Sequence, residues 1–529
     1  MKTVVFFLFS ILSINMLVSA QSYDTTNFNS PSGRQLINTG GNDEEGRRVL
    51  KKSDGTILFG VKTFSFIGNL RYEIYCLNQD GTRCSNFGTN GYVDNLGLPV
   101  VVRSVRDFSL EPGTDRIVLA VNLQFESRPA LIRLNADGSF DSTFGNSGST
   151  VLPWPSNAIM NAGGFYNTLC LGNNFGYILS HTYIAVGGIL NHVFYKLDSN
   201  GNLDTNFGTN GLIEFSSASM SFVSEAIIQD SSTTFLISMA EFDNNTQVLN
   251  NVIRKYDFTG NVIPSFGTNG TVNIPNADLD KSIEISSTGK IVVYGTYPST
   301  ISSSGEQELN IAVLNPDGSI DTSFSSNSNG VNNYVFVPST THIANDVVFQ
   351  PDGRLIVMYR TTPQVAGYNS LLFRLNTDGS VDTTFGGPSG SAPPNNFSLN
   401  ASASISEFFD MKLVDDGSLF ATGFGNSFTP TFFDAWLVKV LIPGAALNSP
   451  DIKPNEVEVF PNPVSEILHF KTDLSIQSIS IHDLSGRELL KLEPNTTNIN
   501  IQELGLNPSV YFLEFKGDLI STTKKIIVK

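Results

Sequence analysis

One twelve-residue pattern recurs along this chain at nearly constant spacing. A repeat of long period constrains a fold more than any local propensity, because each copy has to form one unit that stacks on the next. The clearest copies are LNADGSFDSTFG (134–145), LDSNGNLDTNFG (197–208), LNPDGSIDTSFS (314–325) and LNTDGSVDTTFG (375–386), with weaker ones at 77–88 and 256–267. Their shared phenylalanines, Phe87, Phe144, Phe207, Phe266, Phe324 and Phe385, lie 57, 63, 59, 58 and 61 residues apart. Between them sits a second recurring piece, seen best as VVFQPDGRLIVMYR (347–360) and again at 51–60, 285–295 and 413–423. It consists of two apolar runs around an Asp-Gly or Gly-centred turn, the strongest local signal for a β-hairpin, since the tight turn needs a positive φ that glycine tolerates. Two hairpins per period make four strands, the arithmetic of a β-propeller blade. Apolar spacing of three and four, which a helical solenoid needs, is missing over any useful length.

With degraded copies at 109–119, 171–180 and 228–237, the hairpin piece occurs seven times, whereas the Phe-Gly piece occurs six times after residue 70. The missing tail is at the other end of the chain: YDTTNFNSPSG (23–33) places Phe28 59 residues before Phe87, while the last apolar strand, 432–443, lacks a tail. The expectation is an all-β, seven-bladed β-propeller over residues 21–443, closed by pairing of the N-terminal segment with the last blade. Closure removes the exposed end of the stack. Six blades and a stray half-repeat is the alternative. The Asp-Gly-x-x-Asp-x-x-Phe-Gly tail and the Gln-Pro-Asp-Gly hairpin resemble the bacterial delta-60 repeat over about residues 22–443. That resemblance implies a surface-exposed β-propeller and no particular reaction.

Residues 444–456 read as a linker of mixed Pro, Gly, Ser and Asn. Beyond it, alternation such as Ile479-Ser480-Ile481 and Ile499-Asn500-Ile501 predicts half-buried strands and a small Ig-like β-sandwich over 457–529. This tail resembles the type A (Por-type) sorting domain of the type IX secretion system of Bacteroidetes-like lineages. The matching residues are Pro461-Asn462-Pro463 after Phe460, then Asp483 and Gly486 within Ile481–Arg487, then Leu504, Tyr511 within Val510–Leu513, and Lys525 within the closing Lys-Lys-Ile-Ile. Ser509 stands where the family has a glycine. The resemblance implies export of a folded periplasmic protein through the outer membrane, the secretion machinery as a partner, and release or attachment at the outer cell surface.

The first twenty residues fit that route. Lys2, an apolar stretch and the small residues Ser19 and Ala20 before Gln21 have the order of a cleavable signal peptide, with cleavage between Ala20 and Gln21. No later segment is long and apolar enough for a transmembrane helix, so the mature chain is expected to lack one. A formal charge of −17 argues against nucleic acid as a partner. Cys76 and Cys84 flank the Asp80-Gly81 turn and could form a disulfide across a hairpin, the register deciding whether their Cβ atoms approach.

No catalytic motif emerges. His181, His192, His342, His469 and His482 are scattered, and neither a nucleophile motif nor a phosphate loop is present. Asp198, Asn200, Asn202 and Asp204 resemble a calcium loop without its distant bidentate glutamate, and turn chemistry explains the same residues, so no cofactor is expected. The Asp-Ser/Thr-Thr triplets at 24–26, 141–143 and 382–384 also resemble an O-glycosylation acceptor pattern, which the same turn chemistry accounts for. These features favour a non-enzymatic surface protein that binds an extracellular ligand, a glycan or a protein, through loops at one end of the ring. The alternatives are a carbohydrate-active enzyme whose carboxylates converge from several blades, and a structural or adhesion component.

Overall fold

The structure, a computed structural model, describes residues 21–442 and 458–529 apart from 39–42, 65–69, 95–101, 124–127, 156–157, 160–165, 172–175, 232, 275–281, 299–306, 326–329, 339, 366–367, 387–392, 400–405, 415–416, 427–432, 472–477, 484–486, 493–497, 503, 505 and 518–519. The signal segment with Ala20, the linker and Gly486 lie outside the described residues. The chain divides into two compact units, Met1–Leu447 and Asn448–Lys529.

In the first unit the described residues form seven antiparallel sheets, six of four strands and one of five. The first sheet consists of Asp43–Lys51, Ile57–Phe64, Leu70–Leu77 and Tyr92–Asp94, hydrogen-bonded in that order. The pattern repeats with first strands at Val102–Leu110, Tyr166–Leu171, Met220–Gln229, Ser282–Ile285, Thr341–Phe349 and Ser406–Leu413. Each first strand contacts the next around a common centre, and Ser406–Leu413 meets Asp43–Lys51 to close the circuit.

The seventh sheet borrows its outer edge. Ser22–Tyr23 pairs with Asp434–Leu441 in the register Ser22↔Leu441, and Arg34–Ile37 pairs with the same strand in the register Arg34↔Val438. The intervening residues loop away and drop Phe28 into the core between the seventh and first sheets, where its ring meets Phe420 edge-on at 5.2 Å. Closure therefore uses two short strands, with Asp24–Phe28 between them. Backbone bonding and the Asp24–Lys439 ion pair at 3.1 Å anchor that turn.

The repeat motif is a device for joining neighbouring sheets. Phe87, Phe144, Phe207, Phe266, Phe324 and Phe385 are all buried, each in the apolar core between its own sheet and the next. The glycine after the phenylalanine donates its N–H to the residue before the turn glycine of the following sheet: Gly88 to Asp137 at 2.8 Å, Gly208 to Thr259 at 2.9 Å and Gly267 to Asp317 at 2.8 Å. The turn glycine in turn lies on the phenylalanine. A Cβ at Gly201, whose φ is +86°, would stand 2.6 Å from the Phe144 ring, and at Gly318 it would stand 3.0 Å from Phe266. Glycine is required there for contact as well as for conformation.

The second aspartate of a tail, where the tail has one, caps its own turn. Asp141, Asp321 and Asp382 accept the N–H and hydroxyl of the residue two positions on. The same residue pairs with a base on the third strand in four sheets: Arg133–Asp141 at 2.7 Å, Arg374–Asp382 at 2.8 Å, Lys439–Asp24 at 3.1 Å, and Lys196–Asp204. In the first sheet both partners are replaced, and a disulfide joins Cys76 to Cys84 with Cα atoms 5.4 Å apart. The covalent bond stands where the other sheets carry the buried ion pair. The double variant Cys76→Ser/Cys84→Ser is expected to lose about 2–4 kcal/mol in chemical denaturation. Cys76→Arg/Cys84→Asp should recover part of that loss, and no recovery would show that the positions are not interchangeable.

The second unit packs a three-stranded sheet (Glu458–Phe460, Ile467–Lys471, Asn498–Asn500) with a four-stranded one built from Ser478–His482, Glu488–Leu492, Ser509–Gly517 and Ile520–Val528. Its core gathers Leu468, Phe470, Ile479, Ile481, Leu513 and Phe515.

Candidate functional site

The first strands carry a bulge at one repeated position. Register shifts fall between Gly46 and Arg48, Val105 and Asp107, Ala344 and Asp346, and Phe408 and Asp410. A bulge re-aims the side chain that follows it, and here it gathers Arg48, Asp107, Asp346 and Asp410 where the first strands converge. Asp346 accepts the Met411 N–H of the next sheet at 2.7 Å, its own Val347 N–H at 2.8 Å and the Tyr294 hydroxyl at 3.0 Å. Asp410 accepts the Val49 N–H of the first sheet at 2.6 Å. Arg48 lies 3.9 Å from Asp107 and exposes 39% of its side chain. The carboxylates thus stitch one sheet to the next.

Burial raises the Asp346 carboxyl well above the ordinary range, helped by the neighbouring charges of Asp410 and Glu284. Burial raises Asp410 too, against the opposing pull of Arg48 and the Val49 N–H, and it raises Glu284. For Arg48, burial works against the charge, but Asp107 and Asp410 outweigh it and hold the group above its usual value. Such a cluster binds a proton more readily than isolated carboxylates do, and it can face a polar ligand.

The turn aspartates shift the opposite way. Hydrogen bonds from Ser139, Ser319 and Ser380 lower Asp137, Asp317 and Asp378, and the Thr143 and Thr384 donors lower Asp141 and Asp382 against the effect of burial. A carboxylate whose folded pKa lies below its unfolded value contributes stability that is present above the unfolded pKa and lost as pH falls through the folded one. The melting temperature is therefore expected to hold from neutral pH to about 4 and to fall steeply below it, where unfolded aspartates take up protons first. Asp346 and Asp410 oppose this trend, since their protonation favours the folded state. A melting temperature that rises as pH falls from neutral toward about 4 would show that the central pair dominates.

His192 and His342 serve structure. His192 is fully buried, with Ser180 Oγ 2.9 Å from Nε2 and Thr182 Oγ1 2.7 Å from Nδ1. The contact has the spacing of a nucleophile and base, but the third partner is a hydroxyl, and burial pushes the imidazole well below its ordinary pKa. His342 accepts the N–H groups of Phe336 and Val337, both at 3.1 Å. In the calcium-like loop, Asp198 accepts the N–H groups of Asn200 and Asn202, while Asp204 pairs with Lys196. No cluster of potential metal ligands occurs among the described residues.

The remaining candidate residues fall into two places. Gln21 is buried and its side-chain oxygen accepts the Gly386 N–H at 2.7 Å, joining the sixth sheet to the seventh. In the second unit, Asn462 of the Pro-Asn-Pro turn donates to the Lys525 carbonyl at 2.8 Å and accepts the Ile527 N–H at 2.9 Å. The two ends of the C-terminal motif set thus meet through one side-chain amide that mimics a strand. Tyr511 donates to the Asn507 carbonyl at 2.9 Å, and Asp483 accepts the Arg487 N–H at 3.1 Å. The central charged cluster escaped the sequence reading, although Asp107, Asp346 and Asp410 all precede their hairpin turns by a similar offset.

Two surface grooves occupy corresponding positions between sheets. One, of about 370 Å³, lies between the first and second sheets beside Lys52, Cys84 and Asp137. The other, of about 410 Å³, lies between the fifth and sixth beside Ser286, Gln350 and Asp378.

Comparison with known proteins agrees with both halves of the chain. Residues 458–529 match the family described as a secretion system C-terminal sorting domain. Residues 52–87, 116–144, 286–324 and 350–385 match a domain of unknown function (DUF5122) β-propeller. No curated protein matches the sequence. Among solved structures, the β-propeller domain of the trilobed protease from Pyrococcus furiosus is similar at 8% identity, covering 77% of this chain and 98% of that one, with a TM-score of 0.38. A protein of unknown function from Dyadobacter fermentans is similar at 10% identity, covering 78% and 100%, with a TM-score of 0.37. A GH43_1 enzyme from Xanthomonas citri is similar at 9% identity, covering 56% and 95%, with a TM-score of 0.26. The sorting domain indicates export by type IX secretion to the cell surface or beyond, and no helix among the described residues is long and apolar enough to cross a membrane.

Proposed function

We propose that this type IX-exported β-propeller protein is a seven-bladed, non-enzymatic binding protein that engages an extracellular ligand, with its small C-terminal Ig-like sandwich serving export. The observation that carries this reading is the use made of the central carboxylates. Asp346 and Asp410 spend oxygens on backbone N–H groups of the next sheet, which is the chemistry of a fastener, while grooves between sheets remain open at the surface. Pockets of this size bordered by a few polar groups are the usual form of a small-ligand site. The test is a glycan array together with a screen of the mature protein against polysaccharide substrates. Saturable binding without turnover supports the reading, and turnover of any substrate overturns it.

The raised carboxyls of Asp346 and Asp410 favour a second reading, an extracellular enzyme using one of them as proton donor beside a charged partner. On that reading Asp410→Asn abolishes turnover of whichever substrate the screen finds. On the binding reading it alters stability and leaves ligand affinity unchanged.

A further inference from the structure

The groove between the fifth and sixth sheets differs from its counterparts in ways that point to a ligand. At the head of its first turn stands Ser286, where the first sheet has the longer, buried Lys52 and the second has buried Glu111. On the third strand Val313 stands where four other sheets carry the base that pairs with the tail aspartate, and Asp321 pairs instead with Lys290, just before the neighbouring strand. Both positions carry shorter side chains here, and the groove has a volume of about 410 Å³.

The wall also contains a group that lacks a partner. Gln350 lines the groove and is 2% exposed, yet neither the oxygen nor the nitrogen of its side-chain amide has a hydrogen-bond partner. Buried amides are rarely left this way. Asp378, from the later turn of the same sheet, also lines the groove; it commits one carboxylate oxygen to the N–H and hydroxyl of Ser380, which leaves the other for an incoming donor. Phe349 adds an apolar surface to the lining.

From this arrangement we propose that the groove binds a neutral saccharide unit, which brings adjacent hydroxyls that both donate and accept, together with a C–H face. An anion is disfavoured, because Lys290 is already neutralised by Asp321 and Asp378 adds negative charge. The proposal deepens the binding reading by naming the ligand class and the place.

The test uses the mature protein and a panel of glucose, galactose, mannose and N-acetylglucosamine, read by saturation-transfer NMR and titration. Thr377 is exposed on the groove rim, so Thr377→Trp fills the space without touching the core. Binding of at least one sugar, weakened about tenfold or more by Thr377→Trp, supports the proposal. Gln350→Met removes the unpartnered amide. An unchanged or higher melting temperature with weakened sugar binding places the amide in the site, whereas a higher melting temperature with full binding overturns it. If a sugar binds and Thr377→Trp leaves it unaffected, the groove is wrong while the binding reading stands. If array and panel both show no ligand, both fall.

Discussion

A mature chain that begins at residue 38 instead of 21 is expected to lose roughly 5 kcal/mol or more in chemical denaturation, a figure set chiefly by two emptied core positions. Phe28 and Ile37 are almost fully buried in the core shared by the seventh and first sheets, and both leave with the segment. The backbone pairing of Ser22–Tyr23 and Arg34–Ile37 goes with them, as do the Asp24–Lys439 ion pair and the bond from Gly386 to Gln21. What remains has Asp434–Leu441 as an unprotected edge strand, a template for association between copies. Phe28→Ala isolates the packing contribution and should account for about 3–5 kcal/mol of the loss. An unchanged transition in the shortened protein would mean that the other six intersheet cores hold the ring without the seventh.

Removing residues 458–529 is expected to have the largest effect on location and a small one on the remaining fold. The two units have separate apolar cores, so the β-propeller unit should fold with a melting temperature close to its value in the full chain. Without the sorting domain it should accumulate in the periplasm, read by immunoblotting cell fractions against the culture medium. Asn462→Ala is the finer version. Losing both hydrogen bonds to the last strand should cost about 1–3 kcal/mol in the C-terminal unit and reduce export in proportion to its unfolding. Full export of the truncated chain would show that another segment directs secretion.

Much of this architecture was legible in the residues. Asp-Gly turns between apolar runs predict hairpins, and Tyr166–Leu171 with Gly176–Ile184 shows that even a degraded copy forms one. The second Asp-Gly of each period predicts another hairpin tip. The structure instead makes it the start of a tail that carries an isolated bridge, such as Leu134↔Phe140, and then a short fourth strand such as Ser149–Val151. The reason is the phenylalanine, which must leave the sheet to enter the neighbouring core.

By itself the sequence determined the strands, the repeat and the tail missing from the last copy, because turn chemistry and apolar alternation act within a dozen residues and recur along the chain. Tertiary structure alone decided that the Phe-Gly and Asp-Gly motifs dock on each other, that Cys76 and Cys84 take the place of an ion pair, and that Arg48 meets Asp107 and Asp410 at the centre. It also decided that Asn462 completes the final strand and that the fifth and sixth sheets leave a groove. Most of these contacts join residues from different sheets, and which side chains meet there depends on how a sheet twists onto its neighbour, a geometry no local pattern encodes.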